Sequence, residues 1–463
     1  MSVFNSVPPK ISKIELIKWL KVNYSFFYNK NISVKELKSE RDKNFLLKLK
    51  NKPLYVIKIS NPAESISLLK LQDFVLNSLI KRNSVKNFIP KKIHSTIKVY
   101  QDQLNRDCYV RVLRFIEGKM YAVVNHNNNL EHSLGTLLGN LSKELQNLNH
   151  PNAFRKFEWD PSNISWIQKE INLFKGNNKK IINTNLYEYN YFIKKNLKNL
   201  RFSLTHGDAN NYNLVVKNDL VSGLLDYGDM IYAPTINDLA VSLSYALMKK
   251  EDLYSSLKNV VISYHKIFPI TFDEIFSLMT LVKARLTITV VMAEKQRKKF
   301  PYNKYLSISE NDAWDLLYKL DRINPYLFIF LIRDYCGHQI TKNYNKVINF
   351  IEKNNFPSVL DFNLNKINKS IINLDSNSIF TKNYNNNPKQ ITKKINIFLK
   401  KNDSQIGIGL YKEKRNVYQG NNFISNFNSK NRRNIHLGID IFAPVGTKIK
   451  APHDGKVFIL KYN

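Results

Sequence analysis

Only two cysteines, Cys108 and Cys336, occur in 463 residues, which excludes a disulfide framework and a cysteine-built zinc site. Glycine (14) and proline (15) together make about 6 % of the chain. That is half the usual share of about 12 %, and it excludes collagen-like and Gly-rich low-complexity chains. Acidic residues are also scarce: 37 Asp and Glu stand against 71 Lys and Arg, for a net charge of +34. A polyanion partner would explain such a surplus. However, the basic residues are spread along the whole chain without forming a basic arm, and Lys, Asn and Ile are over-used together, as an AT-rich coding sequence would dictate. A specific nucleic-acid partner is therefore not expected. The longest apolar run is about Leu327–Ile332, far short of the roughly 18–20 residues of a membrane span. Lys10, Lys13, Glu15 and Lys18 interrupt the apolar residues of the N-terminus, so no signal peptide is expected either. A soluble, cytoplasmic chain is the expectation.

What is present is globular: 43 % hydrophobic and 23 % charged, with length for two or three domains. Tyr55–Ile59 and Tyr109–Ile116 are rich in β-formers and bounded by turn residues, so both are predicted strands. Between them, Glu64–Ile80 has helical spacing. Leu134–Leu148, Asn237–Met248 and Thr280–Lys295 repeat apolar residues three or four apart and are predicted helices. A polar, Asn-rich stretch containing Asn383–Pro388 reads as a linker. The domains expected are a β-rich lobe over 1–118, a helical lobe over 119–374, a linker over 375–398 and a small β module over 399–463.

One β-like island, Leu204–Asp229, interrupts the helical region. Within it Asp208 precedes Asn213 by five residues and Asp226 by eighteen, each beside an apolar run that reads as a buried strand. Phosphoryl transfer requires a carboxylate to orient the attacking hydroxyl and oxygen ligands for the Mg²⁺ that bridges nucleotide phosphates. A loop Asp, an Asn five residues on and a later Asp before Gly can supply all three, and oxygen ligands suit Mg²⁺ better than Zn²⁺. A bare pair of turn residues would be the plain alternative, but the combined pattern is much more specific.

The string His206-Gly-Asp208, Asn213 and Leu225-Asp226-Tyr-Gly-Asp229 resembles the aminoglycoside phosphotransferase family, and its continuation through Asp238-Leu-Ala resembles the branch containing hydroxylysine kinases. The resemblance covers roughly residues 25–360. It implies an α+β, bilobal protein-kinase-like fold that moves the γ-phosphoryl group of ATP or GTP, with Mg²⁺, to a hydroxyl of a small amine-bearing metabolite. It further implies that Asp208 is the catalytic base and that His206 braces its loop, both belonging to the catalytic set. Asn213 and Asp226 would hold Mg²⁺, with Asp229 a secondary carboxylate. Lys58 would neutralise the α/β-phosphates. Arg114, Phe115, Ile116 and Glu117 would form the hinge that reads the adenine edge.

Two features depart from the pattern. No G-x-G-x-x-G loop is present, and Ser39-Glu-Arg-Asp42 stands where a phosphate-capping turn is expected. The partner of Lys58 is open among Glu64, Gln72 and Asp73. Arg285, within the predicted helix Thr280–Lys295, reads either as facing a substrate carboxylate or as a solvated or ion-paired helix residue.

The C-terminal stretch from Arg432 to Val457, with His436 and Asp440 in H-x-x-x-D, is similar to the opening of lysostaphin-type zinc endopeptidases. A catalytic zinc needs three protein ligands. The family's downstream H-x-H does not occur before Asn463, and His453 is read as a turn residue, so Zn²⁺ is expected only with further ligands. The resemblance implies a fragment of a longer fusion, linked to a pyridoxal-phosphate phospho-lyase. The alternative function is a zinc metallopeptidase-related fusion whose kinase-like region is a binding or pseudokinase module.

Overall fold

The computed structural model describes residues 6–39, 41–94, 96–299, 309–339, 343–375, 378–381, 387–415 and 434–456. Two compact units divide at Ile340.

The first unit begins with helix α1 (Lys13–Asn23) and strands β1 (Ile32–Leu37), β2 (Lys43–Leu49) and β3 (Lys52–Ile59). Next come α2 (Ile66–Leu79), β4 (Lys98–Gln101) and β5 (Asp107–Arg114). The five strands form an antiparallel sheet in the order β1-β2-β3-β5-β4. Its alternating residues Phe45, Leu47, Ile57, Ile59, Val110 and Val112 are buried on one face with Leu16 and Leu20 of α1. The predicted strands at 55–59 and 109–116 are therefore β3 and β5, with Phe115 and Ile116 lying just beyond β5. The predicted helix at 64–80 is α2, capped by Ser65.

The β4–β5 turn is organised by Asp102, whose buried carboxylate accepts from the amides of Lys10, Leu104 and Arg106 and from the Arg106 guanidinium at 2.7 Å. Burial pushes its carboxyl up, but Arg106 and these amides together hold it at about 2. A lowered carboxyl stabilises the fold above its unfolded value of about 3.9 and loses that contribution as pH falls toward 2. Asp102→Asn is expected to cost about 2–3 kcal/mol near neutrality and to flatten the acid limb of stability below about pH 4. Urea titrations across that range check it.

Beyond the hinge lie β6 (Lys119–Met120), α3 (Asn128–Leu145), α4 (Gly176–Glu188), β7 (Phe202–Thr205), β8 (Leu214–Lys217), β9 (Leu220–Leu224) and β10 (Ile231–Pro234). The helices α5 (Asn237–Ala246), α6 (Leu253–Ile267), α7 (Phe272–Lys299), α8 (Glu310–Asp321) and α9 (Pro325–Tyr335) follow. This is a kinase-like arrangement, a β lobe followed by a helical lobe. Strands β6, β8 and β9 make a small sheet, and β7 pairs with β10. Both small sheets sit against the largest apolar core, which takes Leu278, Leu281, Val282, Leu286, Ile288 and Val290 from α7. Truncating any of these to Ala carries the usual cost of about 2–5 kcal/mol. Helix α7 corrects the sequence reading in one respect. Counted with its few charges it is long and apolar enough to cross a membrane, yet 94 % of that window is buried inside the fold, so it is a core helix.

The second unit contains α10 (Tyr344–Lys353), β11 (Lys369–Ile372), α11 (Pro388–Lys401), β12 (Ile406–Gly409) and β13 (Ile441–Phe442). Strand β12 pairs parallel to β11 and antiparallel to β13. Residues 341–374 therefore lie in this unit, not at the end of the helical lobe. Where the sequence reading placed a linker over 375–398, Pro388–Lys401 is a helix. Asn387 caps it, Pro388 opens it, and Ile395 and Leu399 are buried with Ile372, Leu374 and Phe380. Residues 382–386 and 376–377 of the expected linker lie outside the described residues.

Candidate active site

A cleft of about 660 Å³ opens between the sheet and the helical lobe of the first unit. Lys58, Asp208, Asn213, Asp226 and Asp229 all line it, as do Arg114, Phe115 and Ile116. Residues far apart in the chain thus converge on one floor.

Asp208 lies in the loop after β7. Its turn is tight: Asn210 caps it through Tyr212 and Asn213 amides, and Asn213 Nδ2 donates to Asp208 Oδ2 at 3.0 Å. Asn210 Nδ2 donates to the same oxygen at 2.8 Å. The Asn213 nitrogen is spent on Asp208, so its Oδ1 is the atom available to a cation. Gly207 has φ +79°, and a Cβ there would lie 2.3 Å from the Asp229 carbonyl, so only glycine lets the two acidic loops approach this closely.

His206 is wholly buried beneath the loop and is not part of the cleft lining. Burial pushes its imidazole down to about 4, which keeps the ring neutral. Its Nε2 then donates to Leu225 O at 3.0 Å and its Nδ1 accepts the Asp208 amide at 3.3 Å. This refines the catalytic assignment: His206 positions the loop and does not touch the reacting region. Asp238, mentioned in the sequence reading only as part of a motif, accepts the amides of His206 and Gly207 at 2.8 and 2.9 Å.

Asp226 follows β9 in a left-handed conformation, φ 58° and ψ 83°, uncommon for a non-glycine residue and frequent at functional sites. Lys58 Nζ donates to its Oδ1 at 2.8 Å. The open question of the Lys58 partner is thus answered by Asp226. Gln72 instead accepts from Arg111 at 2.7 Å, Asp73 pairs with Lys92, and Glu64 accepts its neighbour's amide. The Lys58 charge, working against burial, holds the Asp226 carboxyl well below the usual carboxylate range. Asp229 sits 3.6 Å from Arg41. Ser39, Arg41 and Asp42 line the cleft where the phosphate-capping turn was expected, while Glu40 lies outside the described residues.

At the hinge, the Arg114 amide donates to Lys91 O at 2.7 Å and the Phe115 amide to Leu54 O at 2.8 Å. These two amides are already engaged, so a base edge is left with Ile116 and Glu117. The Glu117 side chain pairs with Lys217 at 2.7 Å. Gly118, at φ +151°, lets the chain pass the Val216 carbonyl, which a Cβ would approach to 2.5 Å.

The residue that sequence reasoning left undecided is Arg285. It is buried, and its Nη2 donates to Asp208 Oδ1 at 2.6 Å and to Tyr245 Oη at 3.2 Å. Its guanidinium stacks over Trp159, 4.6 Å from the ring centroid. Arg285 is one of several charged residues on α7, the buried Lys283 among them, so no signal in the sequence singled it out.

The donor set fits a magnesium–nucleotide. Asn213 and Asp226 offer hard oxygens. Among the described residues no three His, Cys, Asp or Glu side chains gather as a metal cage. Mg²⁺ takes one or two protein oxygens beside the phosphates themselves, of the kind Asn213 and Asp226 carry. Arg415 pairs with Asp440 at 2.7 Å, and His436 lies 3.2 Å from the same carboxylate, so these two candidate ligands face each other and an arginine. Arg432, Arg433 and Val457 of that motif lie outside the described residues.

Residues 33–255 match the phosphotransferase enzyme family. Hydroxylysine kinase of Xenopus laevis is 26 % identical over 349 residues, covering 69 % of this chain and 92 % of that protein. Hydroxylysine kinase of Mus musculus is 26 % identical over 326 residues, covering 64 % and 86 %. Among solved structures, a microcompartment-associated aminopropanol kinase superposes with a TM-score of 0.51 at 11 % identity, covering 71 % of this chain and all of its own, which supports the kinase-like fold.

Proposed function

We propose, taking that phosphotransferase match as premise, that the chain transfers the γ-phosphoryl group of ATP or GTP to a hydroxyl of a small amine-bearing metabolite, of the kind the hydroxylysine kinases handle. It is a small-molecule phosphotransferase with an alcohol acceptor. The observation that carries the reading is the convergence of Asp208, Asn213, Asp226 and Lys58, separated by up to 168 residues, on one cleft floor.

The chemistry divides among these residues. Asp208 accepts the proton of the acceptor hydroxyl as that oxygen bonds to the γ-phosphorus and the bond to the nucleoside diphosphate breaks. Asn213 Oδ1 and Asp226 would hold Mg²⁺, which when bound neutralises the charge spread over the phosphates. Lys58 adds a further positive charge beside them, and the Ile116–Glu117 stretch would seat the base.

Purified full chain should consume nucleotide only when magnesium and a hydroxylated amine are both present. A panel of hydroxylysine, homoserine, ethanolamine and an aminoglycoside, read by nucleoside diphosphate release and acceptor mass, checks this. A protein inert toward every acceptor would overturn it.

A further inference from the structure

Asp208 in this structure is fully engaged. Arg285 holds Oδ1, while Asn210 and Asn213 hold Oδ2. A base in that state has little to offer an incoming hydroxyl. Arg285, in contrast, is only partly used. Its Nη1 donates to Trp159 O at 3.3 Å and its Nη2 serves Asp208 and Tyr245. Its Nε is buried and has no hydrogen-bond partner among the described residues. The side-on edge of the guanidinium, Nε with Nη2, is the one whose two parallel donors match the two oxygens of a carboxylate. Here that edge reaches Asp208 through Nη2, which also donates to Tyr245, while Nε has no partner among the described residues. Arg285 belongs to the cleft lining, beside Trp159, Tyr245 and Thr289.

We propose that Arg285 is the acceptor-recognition residue, that it takes the acceptor's own carboxylate on its Nε/Nη2 edge, and that this exchange releases Asp208 to receive the hydroxyl. The inference rests on the phosphotransferase reading and narrows it. The acceptor is a hydroxylated amino acid whose hydroxyl and carboxylate are a few carbons apart, and a decarboxylated amino alcohol is a poor substitute. The exchange leaves the buried guanidinium paired throughout: Asp208 gives up its place only to another carboxylate, which keeps the positive charge compensated. An acceptor without a carboxylate would have to break the Arg285–Asp208 pair and leave a buried charge without compensation.

The test needs no variant to begin. On the full-length enzyme, kcat/KM is measured for hydroxylysine against the diamino alcohol left by removing its carboxylate, and for homoserine against aminopropanol. The carboxylated member of each pair is expected to be favoured on the order of 100-fold. Arg285→Gln is expected to erase that ratio, chiefly by raising KM for the amino acid, and Arg285→Lys, which keeps the charge but loses the fork, to recover part of it. A nucleotide-induced shift in melting temperature that survives in both variants shows that the cleft is intact. Equal use of amino acids and amino alcohols by the wild type would overturn the carboxylate proposal while leaving the phosphotransferase standing. An Arg285→Gln enzyme that loses both members of each pair equally would reduce Arg285 to a support for Asp208. If all four acceptors are inert in the wild type, the carboxylate proposal falls, and turnover of ethanolamine or the aminoglycoside in the wider panel decides whether the phosphotransferase reading falls with it.

Discussion

Asp208→Asn is expected to lower kcat by about 10³-fold while nucleotide affinity stays within a small factor. Asn keeps the shape, and through its Oδ1 it can still accept from Asn210 or Asn213, but it cannot take a proton. Asp208→Asn and Asp208→Ala both remove the counter-charge of the buried Arg285 guanidinium, a loss of the kind that costs about 3–5 kcal/mol, so the melting temperature of each variant is measured beside its activity. The pH profile provides a second reading of the same residue. Burial pushes the Asp208 carboxyl up, to about 7, against the pull of Arg285. A protonated base accepts nothing, so kcat/KM of the wild type should climb with pH and level off above about 7. The residual activity of Asp208→Asn should lack that limb. Full activity in Asp208→Asn would remove Asp208 from the chemistry.

The second large effect is at Asp226. Asp226→Ala should lower kcat by about 10²–10³-fold and abolish the part of nucleotide binding that depends on magnesium. On the proposed reading, Asp226 does two jobs with one carboxylate. One oxygen holds Lys58 at 2.8 Å, and the other is left for a cation. Its carboxyl stays charged at any working pH because the Lys58 charge lowers it. Lys58→Met should act mainly on nucleotide KM, since it removes positive charge from the phosphates without touching the base. Thermal-shift titrations of each variant with nucleotide, with and without Mg²⁺, separate the two roles. An Asp226→Ala protein that still gains stability from magnesium–nucleotide to the wild-type extent would sink the assignment of the cation site.

Much of the site could be read directly, and the reason is local. Asp208 and Asn213 share one turn, and Asp226 follows after a short hairpin whose register ties Leu225 N to Asn213 O at 2.7 Å. Over so few residues, spacing and strand propensity leave the chain little choice. The Val-Ile-Lys strand and the helix after it were legible for the same reason, since period-two and period-3.6 patterns report which face is buried. His206 could be placed under the loop, but whether it met the reacting groups depended on what packs above it.

The Asn-rich segment shows where composition misleads. Asn383–Pro388 reads as a linker, yet Pro388 opens a helix whose Ile395 and Leu399 find an apolar surface in β11 and its surroundings. The cap, the Pro at the first turn and the three-and-four spacing were present in the sequence; the surrounding polar residues obscured them.

By itself, then, the amino-acid order determined the tight Asp208–Asn213 turn and the kinase-like succession of sheet and helices, because each depends on contacts between near neighbours. Only the tertiary structure decided that Lys58 pairs with Asp226 and not with helix α2, and that Arg285 on α7 reaches Asp208 across 77 positions of chain. Those pairings follow from which charges the packed fold brings within reach of one another, and a buried charge such as that of Arg285 takes the counter-charge the fold supplies.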